Sequence, residues 1–269
     1  MSCDAIRVSD VIYVAPQPDW SFPLHNHEHE VELSYIMSGA GTFFHDNRTR
    51  TVREGMLVVK NAGLSHAERS DPDNPLEQLC VSVRGVHYEG LPEGHVIPDD
   101  ADPLLELGED RELVAACFSF LRDHAGDVDY ESLCATAMGL VLDRVRLCCS
   151  RVGAVRGQAR RGGEELVAGA TAYLDRHFRE KVRIRDLAAH LFTSEGNLSR
   201  QFKRVTGYTV NEYVVSKRMG EAQRLLMFGD DDIKEVARAC GYDSVQYFYH
   251  VFGGHARCTP AEFRRRYRG

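Results

Sequence analysis

The chain has 269 residues, 43% hydrophobic and 27% charged, with a formal net charge of −7. That length favours two domains over one, and the composition is that of a folded globular protein rather than a disordered or fibrous one. No apolar run approaches the ~20 residues of a membrane helix, and the start MSCDAIRVSD lacks the basic-then-apolar pattern of a signal peptide, so a cytoplasmic protein without a membrane partner is expected.

In chain order, residues 6–98 come first. They hold short alternating or apolar runs, such as IRVSDVIYV, VELSYIM, MLVVK and LEQLCVSV, broken by Gly, Pro and Asn. This is the signature of a small antiparallel sandwich or barrel. Within it, PLHNHEHEVELSYIMSGAG carries His25, His27 and Glu32, and GMLVVKNAGLSH adds His66. A His-x-His pair on one strand puts both rings on the same face. Three imidazoles and a carboxylate suit a first-row divalent ion. The first reading of the four residues is nevertheless a polar pocket for a small molecule without a metal, the metal-bound pocket is the second, and metal-dependent catalysis is the third.

Residues 104–150 change to a helical period. Leu113, Ala116, Cys117, Phe120 and Leu121 share one face, and Leu133, Ala137, Leu140, Val141 and Val145 share another. Two helices are expected, covering the sandwich or meeting a second copy of the chain. Residues 151–163, RVGAVRGQARRGG, read as a flexible Gly- and Arg-rich linker. The resulting division is 1–100 for a pocket domain, 101–150 for a helical pair with a dimer contact, 151–163 for the linker and 164–269 for a helical domain. The eight cysteines form no CxxC pair and are expected to be reduced thiols.

Charge separates the two halves. Residues 164–269 hold 18 Lys+Arg against 14 Asp+Glu, while residues 1–163 hold 15 against 26. A basic surplus confined to one half hints at nucleic acid. The basic half also repeats itself. Ile184, Leu187 and Ala188 recur 49 residues later as Ile233, Val236 and Ala237. After a one-residue insertion, Ser194, Leu198, Phe202 and Thr209 recur as Ser244, Phe248, Phe252 and Thr259. Each copy reads as a short helix, a tight turn, a Ser N-cap and a second helix with two buried residues four apart. That is a helix-turn-helix unit, whose second helix reads the major groove.

In the first unit the outward candidates are Ser194, Glu195, Gly196, Asn197, Ser199, Arg200, Lys203 and Arg204. Arg200 leads, because Arg pairs bidentately with guanine, and Lys203 and Arg204 suit phosphates. In the second unit the candidates are Ser244, Val245, Gln246, Tyr247 and His250. Between the units, Asn211 to Phe228 reads as one amphipathic helix, long enough at about 27 Å to set two recognition helices on adjacent groove segments.

LAAHLFTSEGNLSRQFKRVTG, RMGEAQRLL and IKEVARACGYDSVQYFYHVF followed by TPAEFRRRY together resemble the AraC/XylS-type DNA-binding domain over residues 166–267. The resemblance implies a seven-helix domain that binds double-stranded promoter DNA and usually activates transcription by touching RNA polymerase. The second unit departs from the pattern: His250, Gly253-Gly254 and Cys258 stand where basic residues and a Gly are usual. The first unit is therefore expected to supply most of the affinity and sequence reading. Over residues 20–85 the spacing of His25, His27, Glu32 and Gly39, then Gly55, Gly63 and His66, resembles the two cupin motifs, with Asn61 in place of a Pro. It implies a cupin-like β-sandwich serving as effector domain. The whole is a multi-domain α+β protein: a cupin-like sandwich plus helices, then an all-α domain with two helix-turn-helix units. A homodimeric, effector-responsive transcription activator is expected, with no catalytic residues. The rival is a cupin-type metal-dependent enzyme with a helical appendage, against which the repeat argues.

Overall fold

The structure, a computed structural model, describes residues 6–45, 48–152 and 162–267. Cys3 and residues 153–161 of the expected linker lie outside the described residues. The chain divides into two compact units, one β-rich and one helical, and Ser21–His25 and Phe44–His45 fall with the helical one.

In chain order the elements up to residue 152 are β1 (Arg7–Val14), β2 (Ser21–His25), β3 (Val31–Ser38), β4 (Ala40–His45), β5 (Arg48–Arg53), β6 (Met56–Lys60), β7 (His66–Ser70), β8 (Glu77–Arg84) and β9 (Leu104–Glu106), then α1 (Arg111–His124) and α2 (Glu131–Val152). One sheet runs β1-β8-β3-β6-β9 and the other β2-β7-β4-β5. Gly39, Gly55 and Gly63, the glycines of the motif spacing, all sit at positive φ (74°, 82° and 78°) in connections between strands. A Cβ at Gly39 would stand 2.0 Å from the Pro75 carbonyl oxygen. Only glycine fits that turn.

Strand β3, VELSYIMS, is buried along most of its length, with none of the polar-out alternation of a half-exposed strand. Its two faces meet different surroundings. Val31, Leu33 and Tyr35 join Leu57, Val59, Leu79, Val81 and Val83 in a hydrophobic cluster with α1 and α2. Glu32 and Ser34 point the other way, as strand alternation requires. The main apolar core thus lies between the five-stranded sheet and the two helices.

Residues 101–150 differ from expectation in two ways. Residues 104–106 are not helical: β9 pairs antiparallel with β6, Leu57 opposite Leu105. The buried helix faces are also shifted. In α1 they are Val114, Cys117, Phe118 and Leu121, with Leu113 exposed. In α2, Cys134, Met138, Val141, Leu142 and Val145 are buried, while Leu133, Leu140 and Leu147 are exposed. Both helices carry apolar residues on two faces, so periodicity alone could not select the inner one.

The helical unit contains α3 (Gly162–His177), α4 (Ile184–His190), α5 (Glu195–Thr206), α6 (Val210–Phe228), α7 (Ile233–Ala239), α8 (Val245–Ala256) and α9 (Pro260–Tyr267). Helix α3 therefore takes up residues 162 and 163, which the sequence pattern had placed in the linker, and α2 takes up 151 and 152. The repeat is real in space. Leu187, Ala188, Leu198 and Phe202 are buried, as are Val236, Ala237, Phe248 and Phe252. Ser194 caps α5 by accepting from the Asn197 N–H, and Ser244 caps α8 by accepting from the Tyr247 N–H. Helix α6 opens with a capping box between Thr209 and Glu212.

The two turns share their hydrogen bonds. The Thr193 N–H reaches the Ala188 carbonyl, and the Tyr242 N–H reaches the Ala237 carbonyl, both at 3.0 Å. Each turn needs one left-handed residue: Gly241 (φ 79°) in the second, but Phe192 (φ 51°) in the first. Phe192 is 99% exposed, so no burial offsets its strain. A left-handed bulky residue costs about 1–2 kcal/mol, part of which Gly returns as unfolded-state entropy. Phe192→Gly is expected to stabilise the helical unit by about 1 kcal/mol, read as a rise of roughly 4 °C in its thermal midpoint.

Candidate nucleic-acid interface and buried polar cluster

Helix α5 presents the first set of candidates as a continuous outward face. Glu195, Gly196, Ser199, Arg200, Lys203 and Arg204 are exposed, as is the cap Ser194, and Asn197 is half-buried. The face is internally ordered. Asn197 Nδ2 donates to Thr193 Oγ1 (3.0 Å), and Arg200 Nη2 donates to Asn197 Oδ1 (3.2 Å). A planar guanidinium held at the first turns of a groove-sized helix suits the N7 and O6 of guanine. Arg204 donates twice to Gln201 Oε1, and Lys203 reaches Glu212 at 3.5 Å, a turn beyond the reading end.

Helix α8 exposes Ser244, Gln246, Tyr247 and His250, with Val245 half-buried. It contains no Lys or Arg. Two features of this side escaped the sequence reading. Tyr249 is also exposed on α8. Arg265 and Arg266 are exposed on α9, which packs against α8 through Phe263 and Phe252. They place two exposed positive charges beside a helix that has none. The signal was present in TPAEFRRRY, which served only for the resemblance.

His25, His27, Glu32 and His66 do come together: their ligating atoms all lie within 4.8 Å of one another. They do so differently from expectation. His25 ends β2, but His27 lies in the connection before β3, so the His-x-His pair is not on one strand. His29, exposed, takes no part. His25 Nδ1 lies 2.9 Å from the Pro23 carbonyl oxygen and His66 Nδ1 lies 2.9 Å from the Leu64 carbonyl oxygen. A carbonyl only accepts, so each Nδ1 carries a proton, which in a neutral ring leaves the lone pair on Nε2. That second-partner arrangement is typical of histidines that hold metals. His27 Nε2 lies 2.6 Å from Glu32 Oε2.

The cluster has members that sequence spacing did not reveal. Lys60, 1% exposed, is paired with Glu32 and lies 2.6 Å from Glu68. It also donates to Ser34 Oγ at 2.9 Å. Gln78 Nε2 donates to the other oxygen of Glu68 at 2.7 Å. Glu32 and Lys60 are register partners across β3 and β6. Burial alone raises the Glu32 carboxyl, but the Lys60 ammonium and then His27 bring it well below the usual carboxylate range. Burial likewise disfavours the Lys60 ammonium, and Glu32 and Glu68 reverse this and hold it charged. This face of the sheet thus carries a buried ion-paired cluster set among apolar side chains such as Ile36, Phe43 and Val58.

Two family models match the chain, an AraC-like ligand binding domain over residues 10–134 and a helix-turn-helix domain over residues 187–266. The HTH-type transcriptional regulator YdiP of Escherichia coli K12 is 24% identical over 93% of this chain and 84% of its own length. A xylose operon regulatory protein of Haemophilus influenzae is 35% identical, but over 38% of this chain and 26% of its own. The match thus spans about a quarter of that relative's length. Among solved structures, ToxT from Vibrio cholerae O395 superposes with a TM-score of 0.52, covering 99% of both chains at 15% identity. The unsaturated fatty acid bound form of wild-type ToxT gives 0.50 at 15% identity, over 96% of this chain and 94% of its own. At that identity the likeness is one of fold. No helix among the described residues is long and apolar enough to cross a membrane.

Proposed function

The chain belongs to the AraC family of transcriptional regulators, with a ligand-binding domain ahead of a DNA-binding helix-turn-helix domain, and from that premise we propose that it is a cytoplasmic, homodimeric activator that recruits RNA polymerase when a small molecule occupies the polar interior of its β-rich unit. The observation that carries the ligand site is the buried cluster of His25, His27, Glu32 and His66 around Lys60. ToxT, a protein of this fold, has been solved with an unsaturated fatty acid bound. Here the ligand shifts the population of DNA-competent states by as much as its affinity differs between them.

The experiment is to map the genomic sites bound by the protein and to compare transcription of the neighbouring genes with and without the regulator gene. Loss of expression in the deletion strain supports activation. A rise at every bound promoter would make the protein a repressor, and no bound promoter would sink the reading. Compounds handled by the mapped operon are then tested for raising the thermal midpoint of the β-rich unit, since a ligand of the folded state stabilises it.

A second reading, a resident divalent ion, is favoured by the two Nδ1–carbonyl contacts of His25 and His66. His25, His27, Glu32 and His66 would hold it, and the His27–Glu32 contact would have to open. Metal analysis of purified protein is expected to return about one equivalent of Zn, Ni, Mn or Fe per chain. Less than roughly a tenth of an equivalent excludes this reading.

The dimer contact is assigned to α2. Its inner face covers the sheet, while Leu133, Leu140 and Leu147 lie exposed at heptad spacing on the outer one. Such a seam suits a helix–helix contact with a second copy. Leu140→Glu is expected to turn a dimer into a monomer in light scattering, with folding intact because the residue is exposed. A wild-type monomer, with and without DNA, would remove this assignment.

A further inference from the structure

We propose that Arg218 fixes the separation of the two recognition helices and thereby sets the operator spacing that the protein accepts. Arg218 lies on α6, between the two helix-turn-helix units. Its Nε donates to the Phe178 carbonyl at 2.7 Å and its Nη2 to the Glu180 carbonyl at 2.8 Å. Its Nη1 donates to the Gly241 carbonyl at 2.9 Å. Phe178 and Glu180 belong to the segment that leads from α3 into the first unit. Gly241 is the left-handed residue of the second unit's turn. One planar guanidinium therefore ties the backbones of both units to the helix between them, with the Tyr242 ring 5.2 Å from its centre.

An independent observation points the same way. A Cβ placed on Gly241 would lie 2.2 Å from the Arg179 carbonyl oxygen. The turn of the second unit thus rests directly, backbone to backbone, on the segment that Arg218 holds. The Arg179 side chain adds a tie to Glu221 of α6 at 2.8 Å, and Glu221 is held in turn by Arg224. The recognition helices themselves do not fill the space between them. Ser199 of α5 and Tyr247 of α8 both line a cleft of about 530 Å³, which Arg218 and Tyr242 also line. Their relative position therefore depends on the junction rather than on direct packing of α5 against α8.

The charge alone is not what matters. A guanidinium offers a rigid fork to three carbonyls, whereas a lysine ammonium is a point on a flexible stem. Arg218→Lys keeps the charge and most of the stem and removes the fork. The probe is a duplex of about 30 base pairs carrying the strongest site selected from random-sequence DNA by the purified full-length protein. One base pair inserted between the two boxes turns the second box by roughly 34° about the duplex axis.

The wild type is expected to lose at least about tenfold in affinity for the inserted duplex. Arg218→Lys is expected to bind the native spacing about tenfold more weakly and to lose less than about threefold further on insertion. Its affinity for a duplex with only the first box intact is expected to stay within about twofold of the wild type, which a general loss of stability would not allow. A wild type that tolerates the insertion overturns the proposal. So does an Arg218→Lys protein that keeps the full spacing penalty, or that loses the first box as strongly as the whole site. Should Arg218→Lys not fold, Glu221→Gln, which loosens Arg179 from α6 at the same junction, takes its place. It is expected to reduce the spacing penalty at least about threefold, and an unchanged penalty overturns the proposal.

Discussion

Arg200→Ala is expected to lower operator affinity by roughly fivefold to 150-fold, the 1–3 kcal/mol of a bidentate contact to a base. It is also expected to relax base preference at one operator position. Arg200 is exposed on the outward side of α5, and its guanidinium is pre-oriented by Asn197, itself held by Thr193. An oriented planar donor loses little freedom on meeting guanine, which is why its removal costs more than that of a flexible contact. Gln246→Ala, on the helix without Lys or Arg, is expected to cost less than about threefold. Fluorescence anisotropy on the selected duplex and its single-base variants, at one fixed salt concentration, measures both. A larger loss for Gln246→Ala reverses the ranking of the two units, and a uniform loss across all bases for Arg200→Ala moves that residue to the phosphates.

Lys60→Met is expected to destabilise the β-rich unit by about 3–5 kcal/mol, because two carboxylates then stay buried without their cation. Glu32 and Glu68 share this one ammonium, and both are buried. The Glu32 carboxyl is held far below its usual range chiefly by Lys60 acting against burial, so its ionised form depends on that partner. The triple variant Lys60→Met with Glu32→Gln and Glu68→Gln is expected to recover most of the loss, since no charge then lacks a partner. Urea unfolding of the full chain, followed by a signal from Trp20 in the β-rich unit, measures the difference. A cost below about 1 kcal/mol for Lys60→Met would show that the interior is solvated enough to screen its charges.

The helix-turn-helix pair was legible because its information is local. Capping serines, buried residues four apart and a turn all fall within about 20 residues, and their recurrence 49 and 50 residues later removes coincidence. The four cluster residues were legible by spacing, although the reason offered for the His25–His27 pair was incorrect: a connection, not a strand face, brings His27 in. Lys60 was not legible. It closes the apolar run MLVVK, where a lysine reads as the solvent end of a strand, and only the pairing of β3 with β6 places it opposite Glu32. Strand β9 failed for a similar reason: three residues carry no period, and the ladder to β6 is what makes them a strand. The helix faces were misphased because α2 has two apolar stripes, an inner one against the sheet and an outer one of spaced leucines.

The five-stranded sheet works as a partition. Its one face, with Leu33, Tyr35, Val59 and Val81, belongs to the apolar cluster that holds the unit together with α1 and α2. Its other face, with Glu32, Ser34 and Lys60, belongs to the polar layer. Substitutions that change what the polar layer accepts need not disturb a single residue of the apolar cluster. The constraint on them is charge balance, since a change at Lys60 demands one at Glu32 or Glu68. New ligand preferences in this scaffold are therefore reached by linked exchanges of two or three polar residues, and single-residue screens will pass over them as unstable.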